Sequence, residues 1–243
     1  MPLTNLGRTL HALALLAFGL QYAHFGHLRP GIPLMPHWLP NEHWLAYALA
    51  AVLLFGSLAL LATWNTSATS LTLGLVLLVG SALDLTHLQS VLHTANGRTG
   101  FLECLSFAAT ALILHGLTAA NRFTLHLGRI LFAFAMIVFG AQHFMYLKPI
   151  ANLILPWIPF HTFWVIATGV ALIAAGLAIA TRILDKPASI GLFVLFFGWL
   201  VLLHIPLSLA APNNADLWSS LFVVLGLSGS SLLLTASSES SRL

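Results

Sequence analysis

The chain alternates between long apolar segments and short polar interruptions. An α-helix needs about 20 apolar residues to cross a hydrocarbon layer about 30 Å thick, and eight segments reach that length. The interruptions contain helix-breaking sequences such as RPGIPLMP, NTSATS, TANGRTG and LPWIP. The segments lack the period-two alternation of membrane β-strands. The predicted helices are Thr9–Leu28, Glu42–Trp64, Thr69–Leu92, Phe101–Ala120, Gly128–Lys148, His161–Arg182, Ala188–Ala210 and Ala215–Ala236.

The pattern of the first predicted helix recurs in the fifth. Gly7–Gln21 reads GRTLHALALLAFGLQ and Gly128–Gln142 reads GRILFAFAMIVFGAQ, so the GR pair, the FG pair and the final glutamine stay in register. The loop HWLPNEHW before the second helix is echoed by PWIPFHTFW before the sixth. An even number of helices in each unit gives both units the same orientation. The sequence therefore predicts an all-α integral membrane protein with eight transmembrane helices in two parallel four-helix repeats, residues 1–122 and 123–243.

Composition supports a lipid environment and excludes several classes of function. Of the 243 residues, 59% are hydrophobic and 6% are charged, and the mean hydropathy is +0.95. Soluble domains carry about 25% charged residues. The formal net charge is +3 without a basic run, so we expect no nucleic-acid partner. The single cysteine, Cys104, excludes an internal disulfide and dithiol redox chemistry.

Basic residues are unevenly divided between the two sides of the predicted membrane. Six share the side of the N-terminus and three lie on the other side, which by the positive-inside rule places both termini in the cytoplasm. We therefore predict a multi-pass protein of the cell inner membrane. The six are Arg8, Arg122, Arg129, Arg182, Lys186 and Arg242, and the three are Arg29, Arg98 and Lys148.

Histidines show the opposite distribution. Nine of the twelve fall toward the predicted external face, and His11, His115 and His126 fall toward the cytoplasm. Those in loops have a simple interpretation, because amphipathic rings favour the level of the lipid head groups. The nine external histidines are His24, His27, His37, His43, His87, His93, His143, His161 and His204.

Polar residues inside the predicted helices indicate a candidate site near the external face, because such residues are costly in lipid. Asp84 is the one carboxylate well inside a predicted helix, so it must be neutral or paired, with His87 or Arg29 as the available partners. We expect Asp84 and His87 to act as catalytic, proton-exchanging residues. Hydrogen bonds between helices are the alternative role for such side chains. The expected cofactor-binding residues are Gln21, His24, Gln142, His143, His161 and His204.

Several classes of function fit such a site. A quinone head group needs hydrogen-bond donors and proton-exchanging groups, which His, Gln, Asp and Tyr supply. Haem needs histidines on facing helices, and His24 could face His143 or His161, while His87 could face His204. We favour quinone over haem because a haem pair across the membrane needs a second histidine layer near the cytoplasm, and His11 and His115 are too few to supply it. The alternative is a non-catalytic membrane anchor or assembly subunit of a larger electron-transfer complex. Transport is disfavoured because the helix midpoints hold almost no charges.

The fifth and sixth segments carry a resemblance to a known family. GRILFAFAMIVFGAQHF, followed by PWIPFHTFWVIATGVALIAAGLAI, resembles the four-helix unit of DoxX/DoxD-type membrane proteins. That unit opens with GR, an apolar run, FG and a polar residue, and continues through a proline-rich turn and an aromatic pair. The resemblance implies a quinone-linked redox subunit with protein partners, since the family includes a membrane part of thiosulfate:quinone oxidoreductases. The duplicated eight-helix form departs from the family pattern, and no family site residues carry over.

Overall fold

The computed structural model describes residues 2–28, 31–36, 38–39 and 43–240, with side chains up to residue 238 in the last helix. All regular secondary structure in these ranges is helical. A short helix, Leu147–Ala151, follows the fifth of eight long helices. The long helices are α1 (Pro2–Phe25), α2 (His43–Leu61), α3 (Thr66–His93), α4 (Ala95–Thr118), α5 (Arg122–Met145), α6 (His161–Thr181), α7 (Asp185–Ala210) and α8 (Ala215–Ser240).

Seven of these helices, α2 to α8, are long and apolar enough to cross a membrane. The prediction of an α-helical, multi-pass membrane protein in a lipid bilayer is therefore confirmed at this level. The helix α1 has 24 residues, but Asn5, Arg8, His11, Gln21 and His24 make it less apolar, and it does not belong to the seven. The eighth span and the division at residue 122 stay predictions.

The boundary between α3 and α4 differs from the predicted one. The sequence TANGRTG was interpreted as a break, but only Thr94 separates the two helices. Thr94 caps α4, since its Oγ1 accepts a hydrogen bond of 3.0 Å from the backbone N–H of Gly97. Because α4 begins at Ala95, Glu103 lies about two turns inside the helix rather than at its start. The expectation that Asp84 is the one carboxylate well inside a helix is therefore wrong.

The eight helices pack in chain order as a closed ring, in which each contacts the next and α8 contacts α1. The helices α4 and α8 also contact each other across the middle of the ring. Every residue of α4 from Cys104 to Gly116 is buried. A helix that is apolar on all sides is suited to such a central position. One core cluster includes residues of all eight helices, so the two halves of the chain share a single interior.

The glycine of each GR pair lies where two helices cross closely. A Cβ added to Gly7 of α1 would lie 2.8 Å from the carbonyl oxygen of Gly229 in α8. A Cβ added to Gly128 of α5 would lie 2.6 Å from the carbonyl oxygen of Ala109 in α4. Small residues allow membrane helices to approach each other in this way. The repeated glycine is therefore explained by backbone packing against the central helices.

The arginine of the second GR pair holds one end of the bundle together. Arg129 donates to the Asp185 carboxylate at 2.8 Å, to Ser237 Oγ at 2.8 Å and to the Ile179 carbonyl at 3.3 Å. Both members of the ion pair are buried. These bonds join α5, α6, α7 and α8. We call this the Arg129 end; the opposite end, where α1, α3, α5 and α7 terminate, is the Gln142 end.

Candidate functional site

A cavity of about 570 Å³ lies at the Gln142 end, between α4, α5, α6, α7 and α8. Its wall is mainly apolar, with polar side chains at a few points. They include Glu103 and Thr99 from α4, Gln142 and His143 from α5, and His204 from α7. Small-molecule sites have about 300–1,000 Å³ and this same combination of apolar walls with a few polar groups. The cavity is therefore the candidate site.

The structure brings together three of the eight residues predicted for the site. Gln142, His143 and His204 come from two helices and line the same cavity. The other five are not among its lining residues: Gln21, His24, Asp84, His87 and His161.

His143 is half-buried and has one ring nitrogen already occupied. Its Nδ1 lies 2.8 Å from the carbonyl oxygen of Phe139, one turn earlier in α5. A neutral imidazole that donates through Nδ1 keeps Nε2 as an acceptor. No hydrogen bond from the described residues reaches Nε2. His143 can therefore accept a proton or a hydrogen bond from a molecule in the cavity.

Glu103 is the cavity residue that sequence reasoning missed. It is half-buried, and no hydrogen bond or ion pair within the described part of the chain reaches its carboxyl group. The signal that would have found it is the spacing of Asn96, Thr99 and Glu103, which puts three polar residues on one face of a helix. The predicted start of the helix at Phe101 leaves Asn96 and Thr99 outside the helix, so the prediction does not show this shared face. Glu103 adds a proton-exchanging group to an otherwise apolar wall.

His204 lies in an irregular part of α7. The backbone N–H of Ile205 bonds to the carbonyl of Leu200, five residues earlier, so residues Leu200–His204 form a π-helical turn. Pro206 explains it, because a proline lacks the N–H that would bond to the carbonyl of Leu202. Single π turns inside α-helices are frequent at functional sites. The turn carries His204 and directly follows Trp199, and both residues line the cavity.

The glutamines that end the repeated motif connect equivalent helices. Gln142 Nε2 donates to Thr99 Oγ1 of α4 at 3.2 Å. Gln21 Nε2 donates to the Ala215 carbonyl of α8, and its Oε1 accepts from Ser219 Oγ, both at 3.2 Å. Each glutamine thus joins the end of its own helix to the start of a central helix. Both glutamines make these interhelical bonds, and Gln142 also lines the cavity, whereas the predicted cofactor-binding role of Gln21 stays a prediction.

Asp84 and His87 lie on α3, away from the cavity. Asp84 is half-buried, and its carboxyl group makes no hydrogen bond or ion pair with His87 or with any other described residue. The other partner considered for it, Arg29, lies outside the described residues. His87 is exposed, and its ring stacks on Trp38 with the centroids 3.9 Å apart. Their catalytic role stays a prediction.

The remaining two histidines lie near helix ends. His24 is exposed at the end of α1, with its ring 4.9 Å from that of Phe25. His161 is half-buried at the first residue of α6, and its Nε2 is 3.2 Å from the Leu155 carbonyl. Within the described residues, no three His, Cys, Asp or Glu side chains form a group that could hold a metal ion.

In the first half of the chain, a loop occupies the space that corresponds to the cavity beside His143. Its counterpart there, Tyr22, is fully buried and donates a hydrogen bond of 2.7 Å to the carbonyl of Pro33. The same loop buries Ile32 and Leu34 in the core. The two halves therefore differ at this position, with a loop against Tyr22 and a cavity beside His143.

Aromatic side chains line the cavity on α6 and α7. Trp164 and Trp199 both line it and meet edge to face, with the centroids 5.9 Å apart and the rings at 90°. Trp199 Nε1 donates to Thr168 Oγ1 at 3.3 Å.

No family model, curated protein or solved structure matches this chain, so the functional interpretation depends on the geometry of this cavity.

Proposed function

We propose that the cavity binds the ring of a quinone or quinol and that the protein is a quinone-associated redox subunit of the membrane. The observation that carries the proposal is the convergence of Glu103, His143 and His204 in an otherwise apolar cavity. A quinone ring is apolar on both faces and polar only at its oxygens. It therefore needs a few hydrogen-bonding groups within apolar walls, which is what the cavity supplies.

The cavity residues supply proton exchange and aromatic contacts in this proposal. Quinol oxidation releases protons together with electrons, and His143 Nε2 and the carboxyl group of Glu103 are the groups that can exchange the protons. Trp164 and Trp199 offer aromatic surfaces to the ring, an interaction of about 0.5–1.5 kcal/mol beyond simple burial. The electrons require a redox partner, and we propose that another protein subunit supplies it.

The proposal includes the arrangement of the chain in the membrane. Two parallel four-helix units explain why α1 to α4 have the same kinds of neighbours as α5 to α8. Among the described residues, five basic side chains lie at the Arg129 end and two at the Gln142 end. That bias favours an inner-membrane protein with cytoplasmic termini and an external cavity. The resemblance of α5 and α6 to DoxX/DoxD-type proteins supports the quinone-linked role.

A direct binding experiment tests the proposal. The purified protein is placed in lipid nanodiscs and titrated with a tailless benzoquinone, with tryptophan fluorescence as the readout. We expect saturable quenching, because Trp164 and Trp199 line the site. Glu103→Gln should weaken binding by up to about tenfold, since a hydrogen bond contributes about 0.5–1.5 kcal/mol.

The matched control is Asp84→Asn, which makes the same acid-to-amide change in another helix. We expect it to leave binding unchanged, because Asp84 does not line the cavity. If Asp84→Asn weakens binding and Glu103→Gln does not, the site lies on α3 instead. If no quinone binds and the protein purifies with a stoichiometric partner, the membrane-anchor interpretation replaces this one.

A further inference from the structure

We infer that the ligand carries a long apolar tail, which lies in a groove between α6 and α7 that continues the cavity toward the Arg129 end. This inference rests on the proposed function, because it concerns the same ligand. It names the ligand class more narrowly, as a ring compound of the prenyl-quinone type rather than a water-soluble quinone.

The groove has a volume of about 490 Å³ and a wall of apolar side chains. On α6 it is lined by alanines, including Ala171 and Ala175, and on α7 by Gly191 and Leu192. At Gly191 an added Cβ would meet nothing within 4 Å. The space beside this glycine is therefore open to another molecule.

The groove and the cavity are continuous along the two helices. Leu195 lines both of them. On α6 the cavity residue Leu172 and the groove residue Ala175 are three residues apart, and on α7 the cavity residue Phe196 and the groove residue Leu192 are four apart, so each pair lies on one face of its helix. A molecule with its ring beside His143 can therefore extend into the groove without leaving the protein surface.

The dimensions of the groove favour a hydrocarbon chain over a partner helix. From Leu195 to Pro187 the groove follows eight residues of α7, or about 12 Å at 1.5 Å per residue. Its volume of about 490 Å³ divided by that length gives a mean cross-section of about 40 Å². An α-helix with side chains is about 10 Å across, or about 80 Å² in cross-section, so the groove can hold a hydrocarbon chain but only part of the face of a helix.

The direction of the groove also fits a membrane ligand. The polar cavity lies at the Gln142 end, near one surface of the bilayer, and the groove leads from it toward the middle and the Arg129 end. A prenyl quinone bound here has its ring near the interface and its tail in the hydrocarbon layer. The bilayer itself is as apolar as the groove, so the groove orients the tail and adds packing contacts rather than hydrophobic free energy.

Filling the groove tests the inference. Gly191→Phe places a bulky side chain in it, and Gly198→Phe is the matched control, because Gly198 lies on the same helix, has equally open surroundings and lines neither space. The probes are a tailless benzoquinone and a long-chain prenyl quinone, each titrated in nanodiscs. We expect Gly191→Phe to weaken binding of the long-chain quinone at least about fivefold. That loss corresponds to the lower end of the cost of overfilling a packed site.

The two probes separate the inference from the proposed function. Gly191→Phe should leave binding of the tailless quinone unchanged, which also shows that the variant is folded, and Gly198→Phe should affect neither probe. If the tailless quinone fails to bind the unmodified protein, the proposed function is wrong. If it binds and Gly191→Phe does not discriminate between the probes, the tail groove is wrong.

A cross-linking experiment gives an independent readout. A prenyl quinone with a photoreactive group at the end of its tail should label α6 and α7 within residues 171–195. Labelling confined to α1, α2 or α3 would overturn the inference even if affinity depended on tail length.

Discussion

At the scale of single residues, the two halves of the chain differ in which of their polar groups have hydrogen-bond partners. Arg129 has three hydrogen-bond partners, whereas the Nε of its counterpart Arg8 is buried without a partner in the described residues. Likewise Tyr22 bonds to a loop carbonyl, while His143 keeps Nε2 available to the cavity. The two copies of the motif therefore share their packing glycines and their glutamines, but differ in the partners of the arginines and in Tyr22 against His143.

The buried pair of Arg129 and Asp185 allows a prediction at this scale. Asp185→Ala leaves the Arg129 guanidinium buried without its carboxylate, and breaking a buried pair on one side costs about 3–5 kcal/mol. We expect the midpoint of thermal unfolding in detergent to fall strongly. Replacing both residues, with Arg129→Met and Asp185→Ala, should recover most of the loss, because no unpaired charge is left. An equal loss in the single and double variants would show that the pair is not the cause.

At the scale of secondary structure, the π turn of α7 is the element that shapes one wall of the cavity. A regular α-helix would advance each residue by about 100°, so one extra residue in a turn changes which side chains face the neighbouring helices. Trp199 directly precedes the turn and His204 is its last residue. The backbone geometry of this turn therefore determines which side chains of α7 line the cavity.

The prediction at this scale concerns Pro206. Pro206→Ala restores the missing N–H and permits regular α-helical bonds through residues 200–206. We expect weaker binding of the tailless quinone, because His204 and Trp199 no longer keep their present relative positions. Thermal stability should not fall, since a helix interior favours Ala over Pro. Unchanged binding together with higher stability would mean that the π turn has no role in the site.

At the scale of the whole molecule, α4 and α8 form the centre around which the other six helices pack. A hydrogen bond of 2.6 Å between Thr110 of α4 and Ser230 of α8 joins them in the buried core. The cavity lies on the side formed by the second half, between this centre and the outer helices α5, α6 and α7. The shared interior is thus bordered on one side by the candidate site.

The orientation of the molecule can be tested with cysteines at its two ends. Asn213 lies in the exposed loop between α7 and α8, at the Gln142 end, and Ala119 is exposed after α4, at the Arg129 end. Asn213→Cys should react with an impermeant thiol reagent in intact cells, and Ala119→Cys only after lysis, because the basic residues favour a cytoplasmic Arg129 end. The parent chain is the blank, since Cys104 is buried. The reverse labelling pattern would place the cavity on the cytoplasmic side.

The sequence by itself determined the class of the protein and the approximate position of its helices. Hydropathy summed over about 20 residues is a strong signal, because a polar backbone must be satisfied within each segment in lipid. The positions of α2, α3 and α6 to α8 follow from this signal to within a few residues, whereas α5 begins six residues earlier than predicted. The clustering of histidines toward one end was also visible in the sequence, as was Gln142 beside His143.

Only the tertiary structure decided which of these residues form one site. In lipid the outer face of a helix is as apolar as its inner face, so hydrophobic periodicity does not show which side meets a neighbour. The close crossings at Gly7 and Gly128 set which faces of α1 and α5 meet the central helices. The packed fold brings Gln142, His143 and His204 to one cavity, and Asp84 and His87 do not line it. Glu103 lies well inside α4 because the cap at Thr94 starts this helix at Ala95. A cap depends on one hydrogen bond rather than on the hydropathy of a segment, so hydropathy did not show where the helix begins.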